Sequence, residues 1–339
     1  MAARPQVGVD AVRDLYTSPF MELVHRAHTV HRAHHDPNEI QWSTLHSIKT
    51  GGCPEDCGYC SQSARFKTPT GRSPLGDPAE VARAAAIAKA GGATRFCMGA
   101  AWRRVSERDM PVVEEMVRQV KALGMETCVT LGTLSQPQAE RLRDAGLDYY
   151  NHNLDTSREH YGNVVTTRSY DERLQTLANV RAAGLHVCCG GIVGLGETRD
   201  DRIALLAELA NMPTPPESIP INQLVPIPGT PLYDKVGEVP WTEIVRTIAT
   251  ARILMPTSVV RLSAGRESMG EPLQAWCFMA GASSIFTGDK MLTTPTASFD
   301  SDRELLARLD LVAASATPPT ADVKAPVGGA CATGGPPAP

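Results

Sequence analysis

Residues 110–131 read M-P-V-V-E-E-M-V-R-Q-V-K-A-L-G-M-E-T-C-V-T-L, and the order of elements in this stretch decides the fold. Residues 110–123 form a helical stretch that ends at Gly124, and a β-rich run over 125–131 follows at once. Glycine after a helix is the favoured left-handed cap. The rhythm recurs. Residues 80–90 end at Gly91-Gly92 before a run at 94–98; 137–145 end at Gly146 before 147–154; 170–183 end at Gly184 before 185–193. It continues through 218–225, a helix at 241–255, then 258–262, a helix at 271–280 and 283–286. With 46–50 at the front, about eight strands alternate with helices or long loops, which predicts a TIM-type (β/α)8 barrel of class α/β over residues 41–313. No G-x-G-x-x-G links a first strand to its helix, which lowers the dinucleotide-binding alternative.

The 339 residues suffice for one large domain or two ordinary ones. The composition, 42% hydrophobic but 5% aromatic, suits a core built from Ala, Val and Leu. A net charge of −4 with both signs interspersed gives no reason to expect nucleic acid or an acidic membrane as partner. No run is long and apolar enough to span a bilayer, and residues 1–10 lack the apolar region of a secretory signal. The expectation is a cytoplasmic protein whose nine cysteines bind metal, catalyse or pack, and do not form disulfides.

Residues 10–36 read as one amphipathic helix within an N-terminal helical extension, 1–40, with Val12, Leu15, Leu23, Val24, Ala27 and Val30 apolar. His25, His28, His31, His34 and His35 on it are read as a polar face before a metal site, since no carboxylate or cysteine is interleaved to complete one. Residues 314–339 are Pro/Gly/Ala-rich and predict a disordered C-terminal tail in which Cys331 is a bystander.

Just after the first predicted strand stands Cys53-Pro54-Glu55-Asp56-Cys57-Gly58-Tyr59-Cys60, preceded by Gly51-Gly52. Three thiols at C-x3-C-x2-C spacing in a short loop can wrap one cubane cluster and leave one iron open. Structural zinc wants four protein ligands, and a fourth is missing nearby. The motif, with the aromatic Tyr59 before the third cysteine, resembles that of the radical S-adenosylmethionine superfamily. The resemblance implies a 4Fe-4S cluster whose fourth iron chelates S-adenosylmethionine and cleaves it to methionine and a 5′-deoxyadenosyl radical.

Cys97, Cys128 and Cys188 fall within predicted strands, each four or five residues beyond a helix-ending glycine. Such offsets put side chains at similar heights in a parallel barrel, while alternation decides which face the lumen. Convergence and ordinary core packing both remain open on spacing alone, and Cys189 beside Cys188 sharpens the ambiguity. The whole set resembles the biotin synthase family, over roughly residues 15–312. There the resemblance implies a second, 2Fe-2S cluster held by Cys97, Cys128, Cys188 and, in Val260-Arg261-Leu262-Ser263, by Arg261. Without the family, Arg261 reads as a salt bridge at the barrel mouth. Cys189 departs mildly from the family, whose members commonly have a small non-thiol residue there.

The run Tyr149-Tyr150-Asn151-His152-Asn153-Leu154-Asp155 places polar residues alternately at a strand's C-terminal end, natural for a site and odd for a core. By the resemblance, Tyr59, Ala100, Trp102, Asn153, Asp155, Arg173 and Ile192 bind S-adenosylmethionine: Asn153 and Asp155 its ribose, Arg173 its carboxylate, backbone near Ala100 and Trp102 its amine. Ile192 lies in Gly190-Gly191-Ile192-Val193-Gly194-Leu195-Gly196-Glu197, which fits the run that supports adenine. Asn151, Asn153, Asn222, Thr293 and Thr294 take the substrate, the threonines holding its carboxylate.

The implied reaction inserts sulfur into dethiobiotin: the radical abstracts hydrogen from the methyl carbon, the carbon radical attacks a bridging sulfide, and a second cleavage closes the ring. Implied partners are an electron donor such as flavodoxin or ferredoxin, iron-sulfur assembly proteins, and a second copy in a homodimer. Another small-barrel member of the superfamily, hydrogenase-maturation or lipoyl-synthase-like, gives no role to Cys97, Cys128, Cys188 and Arg261 together. A non-catalytic iron–sulfur carrier gives none to the polar residues at 151, 153, 155 and 222.

Overall fold

Gly92, Gly124, Gly146 and Gly184, the glycines expected to stop helices, have φ of 109°, 77°, 99° and 81°. Only glycine adopts this region without cost, so each ends a helix and turns the chain into the next strand. The computed structural model describes residues 6–288 and 290–315. Its strands are β1 (Glu39–Lys49), β2 (Arg95–Ala100), β3 (Glu126–Thr130), β4 (Tyr149–Asn151), β5 (His186–Cys188), β6 (Gly191–Val193), β7 (Ser218–Gln223), β8 (Val259–Leu262) and β9 (Ser284–Phe286). They pair in parallel in the order β1-β2-β3-β4-β5-β7-β8-β9, with β6 continuing β5 alongside β7. Pairing of β1 with β9 as well as β2 closes an eight-stranded barrel. The predicted fold class holds.

The helices are α1 (Val9–Thr17), α2 (Phe20–His34), α3 (Pro78–Gly91), α4 (Met110–Ala122), α5 (Gln136–Asp144), α6 (Arg158–Val164), α7 (Tyr170–Ala182), α8 (Arg199–Asn211), α9 (Trp241–Leu254), α10 (Glu271–Met279) and α11 (Phe299–Arg308). Capping boxes start α5, α7 and α8, pairing Ser135 with Gln138, Ser169 with Glu172 and Thr198 with Asp201. Strand alternation then divides the core in two. Outward-facing Phe96, Met98, Val129, Tyr150, Val187, Ile219, Val260 and Ile285 join the apolar layer beneath the helices. Inward-facing Cys97, Cys128, Cys188 and Phe286 form a separate cluster in the lumen.

The N-terminal extension differs from the expectation of one helix. The chain breaks at Ser18-Pro19, where Ser18 is extended (ψ 160°) and Pro19 caps α2. A residue before proline is pushed away from helical geometry, and proline itself lacks the N–H that would continue the ladder. Arg246 secures the break by donating to the carbonyls of Tyr16 and Ser18, each at 2.8 Å. The strand β12 (Val312–Ala313) pairs with the start of β1, outside the barrel, and a hairpin of β10 (Lys290–Met291) and β11 (Thr294–Pro295) was not foreseen. From residue 316 the tail, with Cys331, lies outside the described residues.

The histidines of α2 do not make a metal site: among the described residues no three His, Cys, Asp or Glu side chains gather as one. His31 is instead fully buried with both ring nitrogens unpartnered, and His35 Nε2 lies 2.8 Å from Arg252 Nη1. Burial first, then the Arg252 charge, pushes His31 down to about 3 and His35 down to about 4. As pH falls below about 6.5, the unfolded chain takes up protons at both positions before the folded chain does. Stability is therefore lost across the window from about 6.5 down to the folded values. Melting temperature should fall between neutral pH and about pH 5, and His31→Leu should flatten that fall; an unchanged slope would count against it.

Candidate active site

Register brings the strand cysteines together. Cys97 lies opposite Cys128 across β2 and β3, and Cys188 lies opposite Asn151 on β4 and Ser218 on β7. All three thiols face the lumen in one cluster against Phe286, Leu45 and Tyr149. Cys189, one residue on, faces the outer apolar layer, as alternation requires. Arg261, 1% exposed, projects from β8 into the same lumen. Its Nε donates to Ser284 Oγ at 3.0 Å, its guanidinium lies 4.9 Å over the Phe286 ring, and its Nη1 is 4.0 Å from Cys188 Sγ.

No carboxylate lies within ion-pair distance of Arg261 among the described residues, so its buried charge faces sulfur. A buried cation is costly unless an anion or good acceptor answers it. The thiols respond. A hydrogen bond from Cys128, outweighing burial and aided by Arg261, Arg95 and Asn151, brings the Cys188 thiol down to about 5. Cys97 is lowered for the same first reason, its interaction with Cys128, and Cys128 is raised well above the thiol range. Asn151 ties this layer to the strand ends, accepting from Thr130 Oγ1 at 3.1 Å and donating to Cys188 Sγ at 3.2 Å.

Nearer the mouth, Cys53, Cys57 and Cys60 stand in a loop pinned by its own backbone. Cys53 N donates to Gln62 O at 3.0 Å, Ala64 N to Cys53 O at 2.7 Å and Cys60 N to Cys57 O at 2.9 Å. Two acids within the motif anchor the loop to its neighbours. Glu55, 2% exposed, pairs with Arg103 at 3.0 Å and Arg168 at 3.5 Å. Against the pull of burial, hydrogen bonds from Thr166 and Thr167 hold the Asp56 carboxyl at about 2. Burial pushes the Cys57 thiol up to about 12 and Cys60 up to about 11. A metal bound at these thiols would have to displace their protons.

Between the two thiol sets lies the polar strand end. One cavity of about 340 Å³ is lined by Cys53, Cys57 and Cys60, by Cys97, Cys128, Cys188 and Arg261, and by every other predicted ligand-binding residue. Asp155, at φ 68°, accepts from Tyr59 Oη at 2.9 Å and from Arg173 Nη2 at 2.5 Å. Arg173 also donates to Asn153 O at 2.5 Å and Tyr161 Oη at 2.7 Å, so each of its nitrogens is engaged. Asn153 Oδ1 accepts from Gly190 N, and Asn222 bridges Gly191 O and Ala264 N. The Ala100 carbonyl accepts from Trp102 N at 2.9 Å in a tight turn. Thr293 Oγ1 lies 3.1 Å from Ser61 Oγ, which joins the β10–β11 hairpin to the cysteine loop.

These donors fit the two implied clusters. Three half-buried thiols without a fourth protein ligand among the described residues suit the upper one, and three buried thiols beside a buried cation with no carboxylate suit the lower one. Sequence reasoning missed Thr130, Phe286, Arg168 and the floor residue Arg95. Alternation pointed to Thr130 and Arg95, which lie two residues after Cys128 and two before Cys97.

The chain matches the Radical SAM superfamily over residues 47–209 and the Biotin and Thiamin Synthesis associated domain over residues 220–312. It is 60% identical over 319 residues to a biotin synthase of Nitrosococcus oceani, covering 94% of this chain and 91% of that protein. It is 62% identical over 302 residues to a biotin synthase of Alkalilimnicola ehrlichii (89% and 91% covered) and 59% identical over 311 residues to one of Escherichia coli (92% and 90%). Among solved structures it resembles methylornithine synthase (PylB), with TM-score 0.75 and 18% identity over 92% of this chain and 95% of that one. It also resembles the FeFe-hydrogenase maturase HydG of Carboxydothermus hydrogenoformans, with TM-score 0.77 and 15% identity over 90% and 75%. At those identities the likeness is one of fold.

The pair of Arg173 with Asp155 is buried at both ends, with side chains 6% and 2% exposed. Asp155→Asn keeps a residue that tolerates positive φ but strands the guanidinium. It should cost about 3 kcal/mol or more of unfolding free energy, read from the urea midpoint of the cluster-free protein. A loss below about 1 kcal/mol would show that Arg173 is satisfied without the charge.

Proposed function

The chain belongs to the biotin synthase family, and from that membership we propose that Cys53, Cys57 and Cys60 hold its 4Fe-4S cluster while Cys97, Cys128, Cys188 and Arg261 hold its 2Fe-2S cluster. The enzyme is a radical S-adenosylmethionine sulfurtransferase that converts dethiobiotin to biotin. When bound, the 4Fe-4S cluster supplies the electron that cleaves S-adenosylmethionine to a 5′-deoxyadenosyl radical, and the 2Fe-2S cluster supplies sulfur.

The observation that carries the residue assignment is the convergence of three strand thiols and a carboxylate-free buried arginine below a second, loop-borne set of thiols in one cavity. Between the two sets, Asn151, Asn153 and Asp155 present amide and carboxylate groups, with Asn222 on the facing strand. Asp155 and Asn153 take the ribose of S-adenosylmethionine, Arg173 its carboxylate, the backbone at Ala100 and Trp102 its amine, and Ile192 its adenine, with Tyr59 orienting Asp155. Because Arg173 and Asp155 are already paired, the cofactor joins an existing network. Asn151, Asn153 and Asn222 then meet the polar ring of dethiobiotin, and Thr293 and Thr294 its carboxylate. Fixing both ligands in one cavity spares the reaction an entropic cost that can reach about 7–11 kcal/mol.

The barrel proper spans 41–313, flanked by the helical extension 1–40 and the tail 314–339. An electron donor such as flavodoxin or ferredoxin serves the mouth loop, since each cleavage consumes one electron. Iron-sulfur assembly proteins restore the sulfur that turnover removes. The working unit is a homodimer in the cytoplasm, the expectation for this family.

Anaerobic incubation of the reconstituted chain with dethiobiotin, S-adenosylmethionine and a reducing system should yield both biotin and 5′-deoxyadenosine by mass spectrometry. Cys97→Ala or Cys128→Ala should abolish biotin while leaving the upper cluster able to form, seen in its absorption and iron content. Undiminished biotin from either variant would remove those cysteines from the ligand set.

A further inference from the structure

Beside and below the strand thiols, three buried polar atoms have no hydrogen-bond partner: Ser43 Oγ on β1, Arg95 Nη1 on β2 and Ser218 Oγ on β7. Ser43 and Ser218 are 0% exposed and Arg95 is 1% exposed. Each lies two residues before a residue of its own strand that lines the cavity: Leu45, Cys97 and Pro220. Side chains two apart share a face, so all three point into the lumen. Pairing ties them to the thiol layer, with Ser43 opposite Arg95 and Ser218 opposite Cys188.

The orphan nitrogen of Arg95 is held in place. Its Nε donates to Glu126 Oε2 at 2.9 Å, and its guanidinium lies 3.7 Å over the ring of Tyr149. A buried polar group without a partner is destabilising, more so when charged. Three such groups aimed at one volume therefore point to an acceptor that belongs there. All three can donate. The sulfur atoms of an iron–sulfur cluster accept hydrogen bonds, and such bonds are among the determinants of its potential.

We propose that Ser43, Arg95 and Ser218 donate hydrogen bonds to the sulfur atoms of the 2Fe-2S cluster, forming a donor floor that retains the cluster and raises its reduction potential. The proposal rests on the assignment of Cys97, Cys128, Cys188 and Arg261 as its ligands. The sign follows from charge: reduction adds negative charge to the sulfurs, and donors stabilise the more negative state.

The test uses the full chain reconstituted anaerobically, with Ser43→Ala, Ser218→Ala and Arg95→Lys compared with the parent. Potential is read by spectroelectrochemical titration, and retention by loss of the cluster's visible absorption to a chelator. Each alanine variant should shift the potential negative and release the cluster faster, with affinity falling by about 10- to 100-fold, as for other outer partners of a metal site. In the cluster-free protein the same two variants should melt at the parent's temperature or above it, because each removes an unsatisfied hydroxyl. A lowered melting temperature there would assign the serines to the scaffold and overturn the proposal, as would unchanged potential and retention in all three variants. A parent chain that assembles only the 4Fe-4S cluster would overturn the ligand assignment first, and the donor floor with it.

Discussion

Closure of the parallel barrel is the constraint on which the rest depends. Once β1 pairs with both β2 and β9, every strand has a fixed register, and alternation assigns each side chain to the lumen or to the outer layer. Arg95 and Cys97 then face in while Phe96 and Met98 face out. A slip by one residue would turn the thiols into the apolar layer and Phe96 and Met98 into the lumen. The outer apolar layer, by demanding Phe96, Val129, Val187 and Val260, therefore also positions the chemistry it does not touch.

The two thiol sets are prepared differently. At the lower level a hydrogen bond with Cys128, aided by the charges of Arg261 and Arg95, brings the Cys188 thiol down. At the upper level burial dominates, so Cys57 and Cys60 hold their protons tightly. A cluster bound by Cys57 and Cys60 would have to displace those protons. Arg173, already paired with Asp155, offsets burial only in part at Cys57.

The helix–glycine–strand rhythm was legible because the left-handed caps at Gly92, Gly124, Gly146 and Gly184 need a residue without a side chain. The loop motif was legible because its spacing is local. Convergence of Cys97, Cys128 and Cys188 was not, since adjacent Cys188 and Cys189 differ only in which face the shell buries. Arg261 came from resemblance alone. Ser43, Arg95 and Ser218 were passed over because a serine or arginine near the start of a strand looks ordinary until register sets it beneath a thiol. The break in the extension was visible in Ser18-Pro19, and the apolar periodicity across it was given too much weight.

The lumen is filled from below by Arg95 stacked on Tyr149, which leaves the cavity open toward the strand C-termini. Such a well is filled in sequence and emptied in reverse. Whatever occupies the deep position enters before the shallow occupants and leaves after them. On the proposed assignment the sulfur-donating cluster is that deep occupant, so product and spent cofactor leave before it is repaired, and repair is tied to vacancy above.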